Sequence, residues 1–497
     1  MSRTIQSTDL EQFQLFIDGD FSNGSGRGSF RSNNPYTGRD WAELAEGTTE
    51  DVDRAVVAAR AALDGEWGTM TGTKRAALLR NLAEQVAANA ERLAELEVSD
   101  SGKLYREMIG QTRALPEWYY YFAGLADKIE GRQIPTDKPN FLVYTRREPV
   151  GVVAAITPWN SPLLLMTFKL APALAAGCTV VIKPSEHSPA STVYFAELVR
   201  RAGFPKGVFN VITGESRELG AHLASHKGVD KVAFTGSTET GRHVAAAASR
   251  NLNRVTLELG GKSPQVVFPD ADLEAAANGL LAGVFAATGQ TCMAGSRLIV
   301  HESVHDELIR LVTERARHIR LGDPTHPETE MGPVANGPQF QKVMGYIEKA
   351  RSEGGIIACG GENPDDLGGY FISPTVITGV NRDSTIVREE VFGPVLSAYT
   401  FRDEDEAIRL ANDTEYGLAG AVWTKDIHRG HRVAAAIKAG TVWVNAYRVL
   451  GPQAPFGGFG ASGLGRENGM DAINEYTETK TIWVELTGGT RDPFTLG

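Results

Sequence analysis

Cysteine is scarce in this chain: Cys178, Cys292 and Cys359 are the only three among 497 residues. An odd count makes no disulfide framework, and the spacings match no zinc site. No metal is therefore expected, and a reducing cytoplasm is the setting that fits. Long apolar runs are missing as well. Nothing approaches the ~18 consecutive apolar residues of a membrane helix. The opening MSRTIQSTDLEQFQLF has no charged segment leading into an apolar core, so no secretory leader is expected. Basic residues are outnumbered, 50 Lys and Arg against 61 Asp and Glu, for a net charge of −11. They form no cluster, which argues against nucleic acid and anionic membrane as partners. The chain also lacks low-complexity segments and internal repeats.

What is present is ordinary for a soluble globular protein, with 42% hydrophobic and 22% charged residues. The length suggests roughly three domains. The first part reads as helical. Thr48 and Asp51 make a capping-box pattern ahead of VDRAVVAARAAL, and TKRAALLRNLAEQVAANAERLAELE reads as a further helix. From Gly151 the texture changes. GVVAAITP, TVVIKPS, VFNVITG, KVAFTGS and RVTLELG are short continuous apolar runs, and helical patterns lie between them. Continuous rather than alternating apolar runs are expected of parallel strands buried on both faces, so the fold class is α/β with a doubly wound parallel sheet. A second series of the same type begins near Lys262. It has PQVVFPD, a helix from Asp272 to about Thr288, SRLIVHE, a helix from Val304 to Ile319, and then YFISPTVIT, PVLSAYTF and GTVWVNA. Two extended segments, Phe141–Val150 and Thr479–Leu486, have little local partner and need pairing elsewhere.

Several residues carry chemistry. KVAFTGSTETGR puts Gly236 and Gly241 at a strand-to-helix turn. The dinucleotide fingerprint G-x-G-x-x-G is not met. Even so, a helix N-terminus behind a glycine offers free N–H groups to an anion, and Ser237 could cap the helix or bind a phosphate oxygen. Lys183 and Glu186 follow a strand end, where open α/β sheets bind ligands; an acidic side chain there accepts from a ribose 2′-OH and repels a 2′-phosphate. Cys292, in GQTCMAG, is a nucleophile only as thiolate and needs local help. Glu258, late in the strand TLELGG, can serve acid–base work, and the amide of Asn160 in PWN can stabilise an oxyanion. Taken singly, such a thiol is more often inert and buried, and such a carboxylate more often structurally paired.

Eight stretches taken in order resemble the NAD(P)-dependent aldehyde dehydrogenase superfamily: TPWNSPL, AAGCTVVIKPSE, GFPKGVFNVITG, VAFTGSTETG, LELGGKSPQVVF, GQTCMAGSR, REEVFGPV and PFGGFGASGLGRENG. The likeness runs from about Phe16 to Leu486. It implies two doubly wound α/β domains with an oligomerisation arm of extended strands. The cofactor-binding domain would take residues 1–133 and 151–261, the catalytic domain 262–460, and the arm 134–150 and 477–497 of a homodimer or homotetramer. It implies Cys292 as nucleophile, Glu258 as general base, and Asn160 as oxyanion donor together with the Cys292 backbone N–H. It implies NAD, with NADP as the alternative, held by Lys183 and Glu186 at the adenosine ribose and by Gly236 and Ser237 at the pyrophosphate. Glu390 and Phe392 would lie at the nicotinamide side, and Trp159 at the adenine side or in the turn beside Asn160. The implied reaction oxidises an aldehyde or semialdehyde to the acid through a cysteine thiohemiacetal and a thioester, which Glu258-activated water hydrolyses. The same machinery could serve as a cysteine esterase, or the fold could persist without catalysis.

The substrate is less defined. Ser161 stands where many members of the family carry an aromatic residue, which suggests a wider pocket mouth. Arg448 lies in the loop resembling the substrate entrance and is a candidate to pair with an acidic substrate group; a solvated rim arginine or a salt bridge is the other reading. Leu164, Leu165, Phe168, Thr291, Met293, Leu450 and Phe456 are the remaining expected pocket residues. Most are apolar, so a bulky or aromatic aldehyde stays equally open.

Overall fold

The structure, a computed structural model, describes residues 10–364, 367–489 and 492–494. Five of the apolar runs form parallel strands: β1 (Val152–Ile156), β2 (Thr179–Lys183), β3 (Phe209–Val211), β4 (Lys231–Thr235) and β5 (Arg254–Glu258). Helices cover both faces, and β1 through β4 are buried almost throughout, which is why their residues are apolar on both sides. Their order is β5-β4-β1-β2-β3. The chain winds outward from β1 to β3 and then returns to lay β4 on the other side of β1. The gap between β1 and β4 is therefore a topological switch point, where the loops diverge and leave a crevice. In register, Ile156 stands opposite Lys183 and Phe234, and Thr235 opposite Glu258. Segments distant in sequence thus end along one edge.

The second sheet has β6 (Pro264–Val267), β7 (Arg297–His301), β8 (Thr375–Thr378), β9 (Val395–Phe401), β10 (Ala419–Trp423) and β11 (Thr441–Val444), ordered β8-β9-β7-β6-β10-β11 and all parallel. Ile356–Cys359 adds an antiparallel edge on β8. In YFISPTVIT only the part after Pro374 is strand, since proline cannot donate to a ladder.

Two local expectations are corrected here. The chain does not begin with helices: the first helix, Thr49–Asp64, follows five strands. Two of these, Leu15–Ile17 and Asp20–Ser22, form a hairpin on the free edge of β3, with Phe16 opposite Val211. The turn between them, Asp18-Gly19, has positive φ at both residues, the arrangement a tight two-residue hairpin favours. The expected capping box does start the first helix, with Thr48 and Asp51 exchanging side-chain to backbone bonds. The long second helix is in fact two, Gly72–Ala88 and Ala90–Ser101, broken at Asn89.

The two partnerless extended segments pair with each other. Phe141–Pro149 runs antiparallel to Thr477–Glu485 along its length, and Gln133–Ile134 adds a third strand. Leu142, Trp483, Val484 and Leu486 are exposed on this sheet or just beyond it. Residues 1–9 of the expected cofactor domain, and 490, 491 and 495–497 of the expected arm, lie outside the described residues. Among the described residues no helix is long and apolar enough to cross a membrane.

Candidate active site

The helix expected to reach Thr288 stops at Val284, and the backbone then reverses through Ala287 and Thr288, with φ of 53° and 56°. Two non-glycine residues in the left-handed region cost of order 1–3 kcal/mol each, and such strain persists only where surroundings impose it. Here Thr288 donates to the Gly332 carbonyl at 3.0 Å, Gln290 Oε1 accepts from Ala335 N at 2.9 Å, and the Tyr447 hydroxyl donates to the Met293 carbonyl at 2.7 Å. These contacts pin the loop on both sides of Cys292.

The loop after β1 carries Asn160, which is buried. Its Nδ2 donates to the Gln290 carbonyl at 2.9 Å, tying it to the Cys292 loop. One N–H is spent on that contact, and a carboxamide has a second. Glu258 closes β5. Its glycines are required by approach: a Cβ on Gly261 would stand 2.5 Å from the Cys292 carbonyl oxygen, and one on Gly260 would stand 2.4 Å from the Glu390 carboxylate. Cys292, Asn160 and Glu258, read from three separate stretches, are therefore brought together.

The electrostatics follow from burial. Glu258 is 3% exposed, and neither carboxylate oxygen has a hydrogen-bond partner among the described residues. Desolvation drives its pKa well above the ordinary carboxylate range, Glu467 pushes it further up, and Lys169 and Arg466 act against this. Glu467 itself is ion-paired with Lys169, both buried. Burial, then Glu258 and Glu390, push the partly buried Cys292 thiol up to about 12. The other thiols sit apart from this site. Cys178 is fully buried and pushed up to about 11 by desolvation, and Cys359 is buried beside the Pro374 carbonyl.

A cavity of about 280 Å³ opens at the thiol. All nine expected pocket residues line it: Ser161, Leu164, Leu165, Phe168, Thr291, Met293, Arg448, Leu450 and Phe456, together with Asn160 and Cys292. Five more belong to it that sequence reading missed: Lys103, Glu107, Met108, Gln111 and Ala287. The first four lie on or beside the helix Tyr105–Ala114, which carries no motif that would mark it.

The residues expected at the cofactor are arranged along the strand ends. Lys183 Nζ lies 3.6 Å from Glu186 just beyond β2; Lys183 is buried and Glu186 partly open, so this is not a freely solvated pair. Ser237 caps the helix Thr238–Ser249 by accepting from Thr240 N, directly after Gly236. The first N–H groups of that twelve-residue helix have no intrahelical acceptors. Glu390 accepts from Gly261 N at 2.9 Å, and burial raises its pKa. Phe392 meets Trp159 edge-on at 5.3 Å. Trp159 thus sits in the turn beside Asn160, against the loop that carries Glu390.

Residues 21–482 match the model of the aldehyde dehydrogenase family. The (Z)-2-((N-methylformamido)methylene)-5-hydroxybutyrolactone dehydrogenase of Acinetobacter baylyi is 48% identical over 98% of this chain and all of its own length. The betaine aldehyde dehydrogenase of Bacillus subtilis is 45% identical, over 94% of this chain and 96% of its own. A crystal structure of Staphylococcus aureus betaine aldehyde dehydrogenase in complex with NAD+ superposes with a TM-score of 0.96 at 42% identity, covering 97% of each chain.

Proposed function

The chain belongs to the aldehyde dehydrogenase family and is an oxidoreductase of that class, and we propose that it oxidises its aldehyde with NAD through a thioester on Cys292. The observation that carries this reading is the convergence of three groups: a thiol at a small cavity, an amide tied to the thiol's own loop, and a buried carboxyl without hydrogen-bond partners.

The residues divide the work as follows. Cys292 Sγ, as thiolate, adds to the aldehyde carbon. The new oxyanion takes the free N–H of Asn160 and the Cys292 backbone N–H, each such donor being worth about 3–4 kcal/mol in the transition state. NAD supplies the acceptor for the hydride that this carbon loses as the thioester forms. Glu258 then takes a proton from water, which attacks the thioester and releases the acid. A carboxyl whose pKa burial has raised well above the ordinary range is a stronger base than a solvated one, as this step requires. Glu258 also favours water over a thiol as acyl acceptor.

The residues fit a dinucleotide. The uncapped N–H groups of Thr238–Ser249 behind Gly236 suit a diphosphate. Lys183 and Glu186 suit the adenosine ribose, and Glu390 and Phe392 the nicotinamide side. Glu186 is acidic and partly open, so NAD is preferred over NADP. The exposed apolar residues of the three-stranded sheet support an arm that joins subunits into a dimer or tetramer. Unbridged cysteines support a reducing cytoplasm.

Formation of reduced nicotinamide from an aldehyde panel, with NAD and NADP in parallel, tests this reading. Turnover is expected with NAD, and Cys292→Ala should abolish it while NAD binding is retained. Turnover persisting in Cys292→Ala overturns the assignment.

A further inference from the structure

The cavity beside Cys292 holds charges that thioester chemistry does not use. Lys103, between the helices Ala90–Ser101 and Tyr105–Ala114, is 3% exposed, yet its side chain lines the cavity. Its Nζ donates to Ser161 Oγ at 2.6 Å, and among the described residues no carboxylate lies within ion-pair distance of it. An ammonium has three N–H donors, so two are left. Burial brings Lys103 down to about 8, with Glu97 and Glu107 acting against the fall. Ser161 is part of the cause: a bulky side chain there would fill the space next to the ammonium.

Arg448 reaches the same cavity from the loop after β11. It spends one Nη1–H on the Ala282 carbonyl at 3.0 Å and likewise has no ion-pair partner among the described residues. One carboxylate faces both cations, Glu107, whose Oε1 accepts weakly from Ala287 N at 3.4 Å. Glu97, outside the lining, also acts on Lys103, so what the cavity wall itself presents is two cations with unused N–H donors and one carboxylate. A buried cation without a paired anion is costly, and a ligand anion removes that cost. The volume of about 280 Å³ is at the small end of ligand cavities (~300–1,000 Å³), so the occupant is small.

We propose that Lys103 and Arg448 together select aldehydes that carry a carboxylate at the end remote from the reacting carbon. The proposal names the substrate class of the site and rests on Cys292 being its nucleophile. It also separates this chain from an enzyme for a quaternary ammonium aldehyde, whose charge would meet two cations here.

The experiment compares kcat/KM with NAD for three substrates: 4-oxobutanoate, its neutral methyl ester, and betaine aldehyde. Charge-assisted hydrogen bonds predict a preference of ~10- to 100-fold for 4-oxobutanoate over the ester. Lys103→Met and Arg448→Gln should each lower that ratio by about tenfold, chiefly through KM, and Lys103→Arg should keep most of it. Arg448 is only partly buried, so Arg448→Gln together with the wild-type ratio decides the matter where Lys103→Met fails to fold. A wild-type ratio of one or less, or a ratio untouched in Arg448→Gln, overturns the proposal. Oxidation of no aldehyde at all overturns the reading of Cys292 instead.

Discussion

Asn160 is the residue at which structure and mechanism can be separated most cleanly. Its buried amide donates one N–H to the Gln290 carbonyl at 2.9 Å, and the proposed mechanism assigns the other to the reacting oxygen. Asn160→Ala removes both. Loss of an oxyanion donor costs about 2.7–4 kcal/mol of transition-state stabilisation, or ~10²–10³ in kcat. Loss of the bond to Gln290 leaves a buried carbonyl unpaired, worth about 1–3 kcal/mol of stability. The Cys292 loop already contains the strained residues Ala287 and Thr288, so part of that cost should appear as disorder near the thiol. Stopped-flow measurement of reduced nicotinamide separates the two effects. The first turnover should slow by the full kinetic factor, while the urea midpoint falls modestly. Asn160→Asp tests the sign: a carboxylate would face both the Gln290 carbonyl and the oxyanion, and its first turnover should be slower still. If Asn160→Ala forms reduced nicotinamide within about threefold of the wild-type rate, the oxyanion assignment is wrong.

Glu258→Gln should allow a burst of one equivalent of reduced nicotinamide and then slow by ~10²–10⁴, with the acyl group retained on Cys292 and visible by intact mass. The same substitution removes the charge that helps raise the Cys292 thiol, so the pH profile of thiol alkylation should move to lower pH; an unmoved profile would show that the two groups do not interact. In the wild type the reactive forms, thiolate and carboxylate, both lie on the alkaline side of raised pKa values. kcat/KM should therefore climb as pH rises through the neutral and mildly alkaline range, and a profile that falls there contradicts the electrostatics. Lys169→Met leaves Glu467 buried without its partner and should cost about 3–5 kcal/mol in denaturant unfolding. The double variant Lys169→Met with Glu467→Gln should recover most of this, and no recovery would mean that the pair is not the source of the loss.

Much of this protein is legible locally. Continuous apolar runs between helical patterns identify parallel strands, because a strand covered on both faces has no polar side to alternate with. The three groups at the thiol and the nine pocket residues were reached through the resemblance of ordered stretches to a known family, not through spacing or periodicity. No single residue among them sufficed, since Cys292 alone reads like Cys178, and burial gives both a raised pKa. The hairpin at Asp18-Gly19 was missed, because its strands of three residues are too short for a periodicity to register.

The remainder depends on contacts between residues far apart in the chain. Phe141–Pro149 and Thr477–Glu485 carry no mark of each other in sequence, because a ladder pairs backbone groups that every residue has. Asn160 and Glu258 meet the Cys292 loop only because parallel register ends their strands along one edge, and because Gly260 and Gly261 let the second sheet's loops close on it. Lys103 is the sharpest case. In sequence it is an unremarked lysine after Ser101-Gly102. In the fold it is a nearly fully buried cation on the substrate cavity, and desolvation, which only tertiary packing imposes, turns its charge into a demand on the ligand.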